Sequence, residues 1–200
     1  YYIALIRMAK RCGKRVMFYA NGIGPVREEK NRRRVRKAAE LADCITLRDE
    51  ISLQELRDMG VENPNVFLTA DPVYAMRGGD REKGRRHLTA LGVPADRPVI
   101  GVSIRFAKGT ETRLDEFARF CDMAAQRANV VFLVMQQGSD DAACGAVRAR
   151  MKEASWIVDA PYDPQGMMGM LACMDAVVST RLHSIIFAAH ERVPVLGVVY

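Results

Sequence analysis

The sequence predicts an α/β protein built from two Rossmann-like lobes, each a parallel sheet covered by helices. Short apolar runs alternate with helical patterns along nearly the whole chain. The apolar runs are near-continuous, which is typical of parallel strands that are buried on both faces. A polar stretch at about 75–84, with Gly78 and Gly79, interrupts the alternation and predicts a linker between the lobes.

The first lobe is predicted to occupy residues 1–78. Helical patterns cover residues 2–11, 28–41 and 52–59. Strand patterns cover residues 15–20, 44–49 and 65–69. Gly60 follows the third helical pattern as a C-terminal stop signal. Because the chain opens on a helix and closes on a strand, we expect a piece of a longer protein, with this lobe incomplete and its sheet edge unpaired.

The second lobe is predicted to occupy residues 79–200 and to lack its end. Helical patterns cover residues 85–91, 114–127, 141–152, 164–173 and 182–190. Strand patterns cover residues 98–104, 130–135, 156–158, 176–179 and 194–199. The repeated strand–helix–strand order predicts a second parallel sheet.

Composition narrows the class of protein. No apolar stretch reaches eighteen residues, so no transmembrane helix is expected. The five cysteines are irregularly spaced and form no CxxC pair, so neither a metal site nor a disulfide framework is predicted. Buried thiols in a reducing cytoplasm are expected instead. The formal net charge of +6 indicates anionic partners.

Candidate site residues follow the strands, because open α/β sheets bind ligands beyond the carboxyl ends of their strands. The first strand is followed by NGIGP, and the other informative strand ends carry Arg48, Arg105 and Arg181. Arginines suit a ligand with phosphate or carboxylate groups. Arg48 precedes Asp49, so a structural ion pair is the alternative for that residue.

The segment STRLHSIIFAAH places a cation and an imidazole where a strand passes into a helix. Ser179 or Thr180 is predicted to cap the helix and to contact substrate there. Arg181 supplies a guanidinium that can bind an anion through two hydrogen bonds, and His183 supplies an imidazole that can donate a proton. Residues two apart lie about 200° apart around a helix, so both can reach one ligand only if Arg181 lies in the turn. A capping or packing role is the alternative for His183.

Two further segments each have two interpretations. The basic run at 30–37 is interpreted as a solvated helix face, with contact to an anionic membrane surface as the alternative. The methionines near residue 170 are interpreted as core residues, with the lining of an acceptor groove as the alternative. They are Met167, Met168, Met170 and Met174.

Six motifs follow one another along nearly the whole chain. They are GK-x-V with NGIGP, RDEISLQELRDMG, ADP, GVSIR, MQ with Asp140 or Asp141 after it, and TRLHSIIFAA. This ordered set resembles the polysaccharide pyruvyl transferase family. Asn21 departs from the family, in which Gln or Ser often stands at that place.

The resemblance implies a glycosyltransferase-B-like fold and transfer of the enolpyruvyl part of phosphoenolpyruvate onto a sugar as a ketal. It implies His183 as the general acid, and Arg181 and Arg105 as ligands of the donor phosphate and carboxylate, in either order. Arg48 is a further candidate, and Gln136 is expected to bind acceptor or donor. No cofactor or metal is expected, since phosphoenolpyruvate is a substrate. A cytoplasmic enzyme at the inner face of the membrane, with a sugar acceptor that is lipid-linked or free, follows from the same resemblance.

Two other functions remain open. A nucleotide-sugar glycosyltransferase of the same fold would also place cations at a helix N-terminus, with a carboxylate near the chain end to bind the ribose. Asp175 and Glu191 stand there but form no convincing pair. A basic module that binds nucleic acid or membrane is compatible with the charge. Aromatic residues make up 7% of the chain and are not interleaved with the basic runs, which argues against a nucleic-acid partner.

Overall fold

A parallel sheet organises each of the two units into which the computed structural model divides, Tyr1–Met76 and Arg77–Tyr200. The structure describes residues 2–106, 113–159 and 162–199. The predicted α/β class with two parallel sheets is confirmed.

The first unit contains a three-stranded parallel sheet in the order β1-β2-β3. Its elements are α1 (Tyr2–Arg11), β1 (Met17–Asn21), α2 (Glu29–Leu41), β2 (Cys44–Leu47), α3 (Glu50–Asp58), β3 (Val66–Leu68) and a 3-10 turn (Pro72–Ala75). The central strand β2 supplies Ile45 and Leu47 to a core that Ala39 and Leu56 complete from the helices. Apolar side chains of the strand and the helices thus pack together in one core, as the sequence pattern predicts.

The second unit contains a five-stranded parallel sheet in the order β6-β5-β4-β7-β8. Its elements are α4 (Arg81–Ala90), β4 (Val99–Ser103), α5 (Leu114–Ala125), β5 (Asn129–Leu133), α6 (Asp140–Arg148), β6 (Ser155–Val158), α7 (Pro164–Leu171), β7 (Ala176–Ser179), α8 (Leu182–His190) and β8 (Val195–Gly197). The unit's first strand, β4, lies between its second and its fourth. This is the Rossmann arrangement, in which the strand order reverses beside β4 and ligands bind at the carboxyl ends of the strands there.

The core of the second unit surrounds β5. Every residue of β5 is buried, as expected for a strand in the middle of a sheet that has both faces covered. Helix α7 buries Met167, Met168 and Met170, and Met174 is buried just after it. All four methionines are buried, as the interpretation as core residues predicts, and Met167 also lines a cavity of this unit.

The predicted linker at 75–84 is partly wrong, because α4 already begins at Arg81. The Asp80 side chain accepts a hydrogen bond from the Lys83 backbone N–H at 2.9 Å and so caps the helix. Gly84, the last residue of the predicted linker, lies buried inside this helix. Its small size serves packing rather than flexibility.

Glycines bring α4 and α7 into close contact. A Cβ atom on Gly84 would collide with the backbone of Gly169 in α7, and a Cβ atom on Gly169 would lie 2.5 Å from the Asp80 carbonyl oxygen. Gly79 also faces the Gly169 backbone too closely to carry a side chain. Backbone thus packs on backbone, which only glycine permits.

The cysteines are only partly buried as predicted. Cys121 and Cys144 are fully buried, and burial raises the pKa of each thiol to about 12. Cys12 is exposed, which contradicts the expectation for that residue, because it lies at the solvated end of α1. Cys44 and Cys173 are half-buried.

The basic run lies on α2, and most of its charged side chains face solvent, as predicted. Arg32 is the exception, since it is half-buried and pairs with Glu55 at 2.9 Å. No helix among the described residues combines the length and apolar character that a membrane crossing needs.

We expect Gly84→Ala to lower the free energy of unfolding by about 1–3 kcal/mol, because the added methyl group forces α4 away from α7. The matched control is Gly145→Ala in α6, where a Cβ atom meets nothing within 4 Å. That substitution should raise stability by about 0.5–1 kcal/mol, since alanine restricts the unfolded chain. Chemical denaturation measures both, and equal effects would contradict the packing argument.

We expect Cys121 and Cys144 to resist alkylation in the native protein at pH 8. A pKa of about 12 leaves only about one thiol in 10⁴ as the reactive thiolate, and burial blocks access as well. Exposed Cys12 should react within the same experiment and serves as the internal control. Peptide mass spectrometry reads the labelling, and modification of Cys144 as fast as that of Cys12 would show that the core is open.

Candidate active site

A cavity of about 610 Å³ lies in the second unit, at the carboxyl ends of β4, β5 and β7. Its lining includes Arg105, Gln136, Gln137, Tyr162, Pro164, Met167, Arg181, His183 and Phe187. Three parallel strands end here, so residues far apart in sequence meet at one edge of the sheet. The cavity lies where the strand ends in the sequence predict a ligand site.

The turn from β7 to α8 is held by hydroxyl groups. The Ser179 hydroxyl accepts a hydrogen bond from the Arg181 N–H at 2.8 Å and contacts the Arg181 carbonyl oxygen at 3.0 Å. The Thr180 hydroxyl accepts from the Arg105 N–H at 2.9 Å and thereby ties the turn to the end of β4. Both residues are buried. Their contact with substrate stays a prediction.

The predicted cap of α8 is wrong. Arg181, rather than Ser179 or Thr180, occupies the N-cap position, with φ −98° and ψ 123°, and no side chain bonds to the first turn there. The physical reason is that both hydroxyls are already engaged with the turn and with β4. Arg181 therefore lies ahead of the helix in extended conformation. This meets the geometric condition under which Arg181 and His183 can face one ligand.

The guanidinium of Arg181 lines the cavity and is anchored from α6. Its Nε donates to both carboxylate oxygens of Asp140 at 3.0 Å, and its Nη2 contacts the same carboxylate. Nη2 also donates to Gln136 Oε1 at 3.1 Å. Asp140 is fully buried, and the Arg181 side chain is 15% exposed. The structure thus adds a carboxylate partner that the sequence analysis did not assign to the site.

His183 is the second residue of α8 and lines the cavity with Arg105 and Arg181. Its ring meets Phe187, one helical turn later, edge to face, with centroids 6.4 Å apart. The structure therefore brings together four of the predicted residues, Arg105, Gln136, Arg181 and His183, at one cavity.

Arg48 lies in the first unit, at the end of β2. Its Nη1 donates to Asp71 Oδ2 at 3.1 Å, and its Nε lies 3.6 Å from Asp49. Burial alone would raise the pKa of Asp49, but hydrogen bonds from Ser52 and the charge of Arg48 together lower it below its ordinary value. These ion pairs support the structural interpretation of Arg48, and its contact with substrate stays a prediction.

Two features of the site were not predicted: the contact of Asp140, a residue of the motif after MQ, with Arg181, and the place of Tyr162 in the cavity lining. Asp140 occupies the first turn of α6, where an acidic residue is ordinarily explained by the helix dipole. Tyr162 precedes α7 and packs against His87 of α4, with ring centroids 5.1 Å apart. The segment SDD before a helical pattern and the aromatic residue before Pro164 were the available signals. Neither distinguishes a buried residue from a solvated one.

Solved structures similar to this chain have glycosyltransferase-B-like folds. S. aureus MnaA with UDP aligns at TM-score 0.68 and 11% identity, over 99% of this chain and 55% of that chain. Anabaena Alr3699/HepE with UDP and glucose aligns at 0.65 and 14%, over 98% and 56%. UDP-GlcNAc 2-epimerase from Methanocaldococcus jannaschii aligns at 0.63 and 10%, over 96% and 56%. The chain thus spans about half the length of these structures and has their fold.

The family model described as polysaccharide pyruvyl transferase matches residues 1–200. The chain therefore belongs to the polysaccharide pyruvyl transferase family, and the predicted family is confirmed. The chain matches no curated protein sequence.

We expect Arg48→Met to lower the free energy of unfolding by about 1–3 kcal/mol, because Asp71 is buried and loses this partner. Arg57→Met in α3 is the control, since it removes the same charge from an exposed position of the same unit. Thermal denaturation and substrate kinetics together separate the two interpretations. A raised KM with unchanged stability would instead assign Arg48 to the substrate.

Proposed function

We propose that the protein transfers a pyruvyl group from phosphoenolpyruvate to two hydroxyl groups of a sugar, forming a pyruvate ketal. The acceptor would belong to a cell-surface polysaccharide or to its lipid-linked precursor. The observation that carries the proposal is the single cavity shared by Arg105, Arg181 and His183 in a chain of this family.

Donor binding would use the two arginines. Phosphoenolpyruvate carries a phosphate and a carboxylate, and guanidinium groups bind both kinds of oxyanion through charge-assisted hydrogen bonds. Arg105 follows β4 and Arg181 follows the neighbouring β7, so the two cations approach the cavity from adjacent strands. The N-terminus of α8, which no side chain caps, adds backbone N–H groups for an anion. Gln136 would bind acceptor or donor from the end of β5.

The reaction needs two additions at one carbon. A proton added to the methylene carbon gives a methyl group and a cationic carbon, to which the first sugar hydroxyl adds with loss of its proton. Cleavage of the bond from that carbon to the phosphate oxygen regenerates the cationic carbon. The second hydroxyl then closes the ketal, and its proton leaves with the phosphate. The two hydroxyl protons balance the proton added to carbon and the one carried away.

His183 would supply the proton to the methylene carbon. An imidazole titrates near neutrality, so it can hold a proton for delivery and later take one from a sugar hydroxyl. A positioned acid of this kind contributes about 10²–10⁴-fold to the rate. With phosphoenolpyruvate as donor, the reaction would take place in the cytoplasm, and the basic face of α2 would allow contact with the membrane when the acceptor is lipid-linked.

A nucleotide-sugar glycosyltransferase is the second candidate, because similar solved structures are complexes with UDP. The arginines and the helix N-terminus would then bind a diphosphate rather than phosphoenolpyruvate. Thermal shifts with phosphoenolpyruvate and with UDP-sugars separate the two candidates. A shift with the nucleotide sugar alone would sink the pyruvyl-transfer proposal.

In the full-length protein, we expect His183→Gln to lower kcat for phosphate release from phosphoenolpyruvate by about 10²–10⁴-fold, because glutamine cannot deliver the proton. The control is His190→Gln at the other end of α8, where the imidazole meets Glu191 rather than the cavity. That variant should keep kcat within a few-fold. Near-normal transfer by His183→Gln would remove the imidazole from the mechanism.

A further inference from the structure

We infer that Asp140 is a positioning residue of this site, which holds one edge of the Arg181 guanidinium so that the other edge faces the donor anion. The inference rests on the proposed function for the identity of that donor. Asp140 itself does not line the cavity, so it would act on the donor through Arg181.

Asp140 contacts two turns that carry side chains of the cavity lining. Its carboxylate is fully buried and accepts from Arg181 Nε and Nη2 on one side. On the other side, Asp140 Oδ2 accepts from the Gln136 backbone N–H at 3.0 Å. One carboxylate therefore joins the turn after β5 to the turn after β7, and both turns carry side chains that line the cavity.

The geometry of the guanidinium determines which of its N–H groups can still bind a ligand. Nε and Nη2 lie along one edge, which pairs with Asp140, and Nη2 also donates to Gln136. Nη1 lies on the opposite side of the planar group. Arg181 is thus oriented before any ligand binds. It would contact the donor through Nη1, with little rotamer entropy left to lose.

Electrostatics and positioning predict opposite changes in anion affinity when Asp140 is removed. Its negative charge compensates Arg181, so removing it would leave the cation stronger and tighten anion binding. Positioning predicts weaker binding instead, because the freed guanidinium must be ordered again by the donor. The direction of the change therefore distinguishes the two roles.

The test uses Asp140→Ala in the full-length protein, with phosphoenolpyruvate and inorganic phosphate as calorimetric probes. We expect the dissociation constants and the KM for phosphoenolpyruvate to rise about 10- to 100-fold, as for loss of a charge-assisted contact. kcat should change less than about threefold, because His183 keeps its place. Asp140→Asn retains one acceptor for Arg181 and should restore part of the affinity. Unchanged or tighter binding by Asp140→Ala overturns the inference.

Asp141→Ala is the matched control, since it removes an exposed carboxylate from the same first turn of α6. It should bind both probes like the wild type. A loss equal to that of Asp140→Ala would indicate a general effect of charge at this helix end and would overturn the inference.

A second comparison decides the matter if Asp140→Ala does not fold. Arg181→Met is compared with the double variant Arg181→Met/Asp140→Ala. In Arg181→Met the buried carboxylate has lost its cation, so its removal by the second substitution should stabilise the fold. If Asp140 acts through Arg181, the second substitution should change the dissociation constants less than about twofold. A further loss of affinity would show an independent role and would contradict the inference.

Binding and turnover separate this inference from the proposed function. Wild-type protein that binds inorganic phosphate but does not turn over phosphoenolpyruvate would refute the proposed function. The weaker phosphate binding of Asp140→Ala would in that case still support positioning. Wild-type protein that binds neither probe would overturn both.

Discussion

The parallel pairing of β4 with β7 is the constraint on which the site depends. Ser103 of β4 stands opposite Ser179 of β7, so the next residues of both strands leave the sheet at the same edge. The hydrogen bond from the Arg105 N–H to the Thr180 hydroxyl continues this pairing beyond the last strand residues. Two chain segments 75 residues apart are thereby held together, and the cations that follow them reach one cavity.

The ion pair between Arg181 and Asp140 is difficult to explain by stability. A fully buried carboxylate loses its hydration, and the attraction of a partner often does no more than repay that loss. A well-packed apolar pair would serve folding equally well. What the ion pair adds is a fixed orientation for the guanidinium, which agrees with a role in binding. The same argument does not extend to Arg48, whose ion pairs lie in the first unit.

Much of the fold could be predicted from sequence because apolar runs and helical periods are local patterns. The bounds of β7 and α8 agree with the prediction, and β5 is buried along its whole length as its continuous apolar run implies. The start of α4 was missed because the polar stretch with Gly78 and Gly79 was interpreted as a linker. The packing partner of Gly79 and Gly84 is Gly169, which lies 85 residues from Gly84 in the chain and cannot be identified from a local pattern. The burial of Asp140 and its pairing with Arg181 were not predicted for the same reason, since both depend on a cation that follows a distant strand.

The glycine contact between α4 and α7 connects packing to the site. Helix α7 contributes Pro164 and Met167 to the cavity wall, and its distance from α4 is set by backbone contact at Gly169. His87 of α4 supports Tyr162, which lines the same wall. A side chain added at the glycine contact would therefore displace α7 and the wall together. The cavity depends in this way on α4, a helix that follows the boundary between the units and carries no residue predicted for the chemistry.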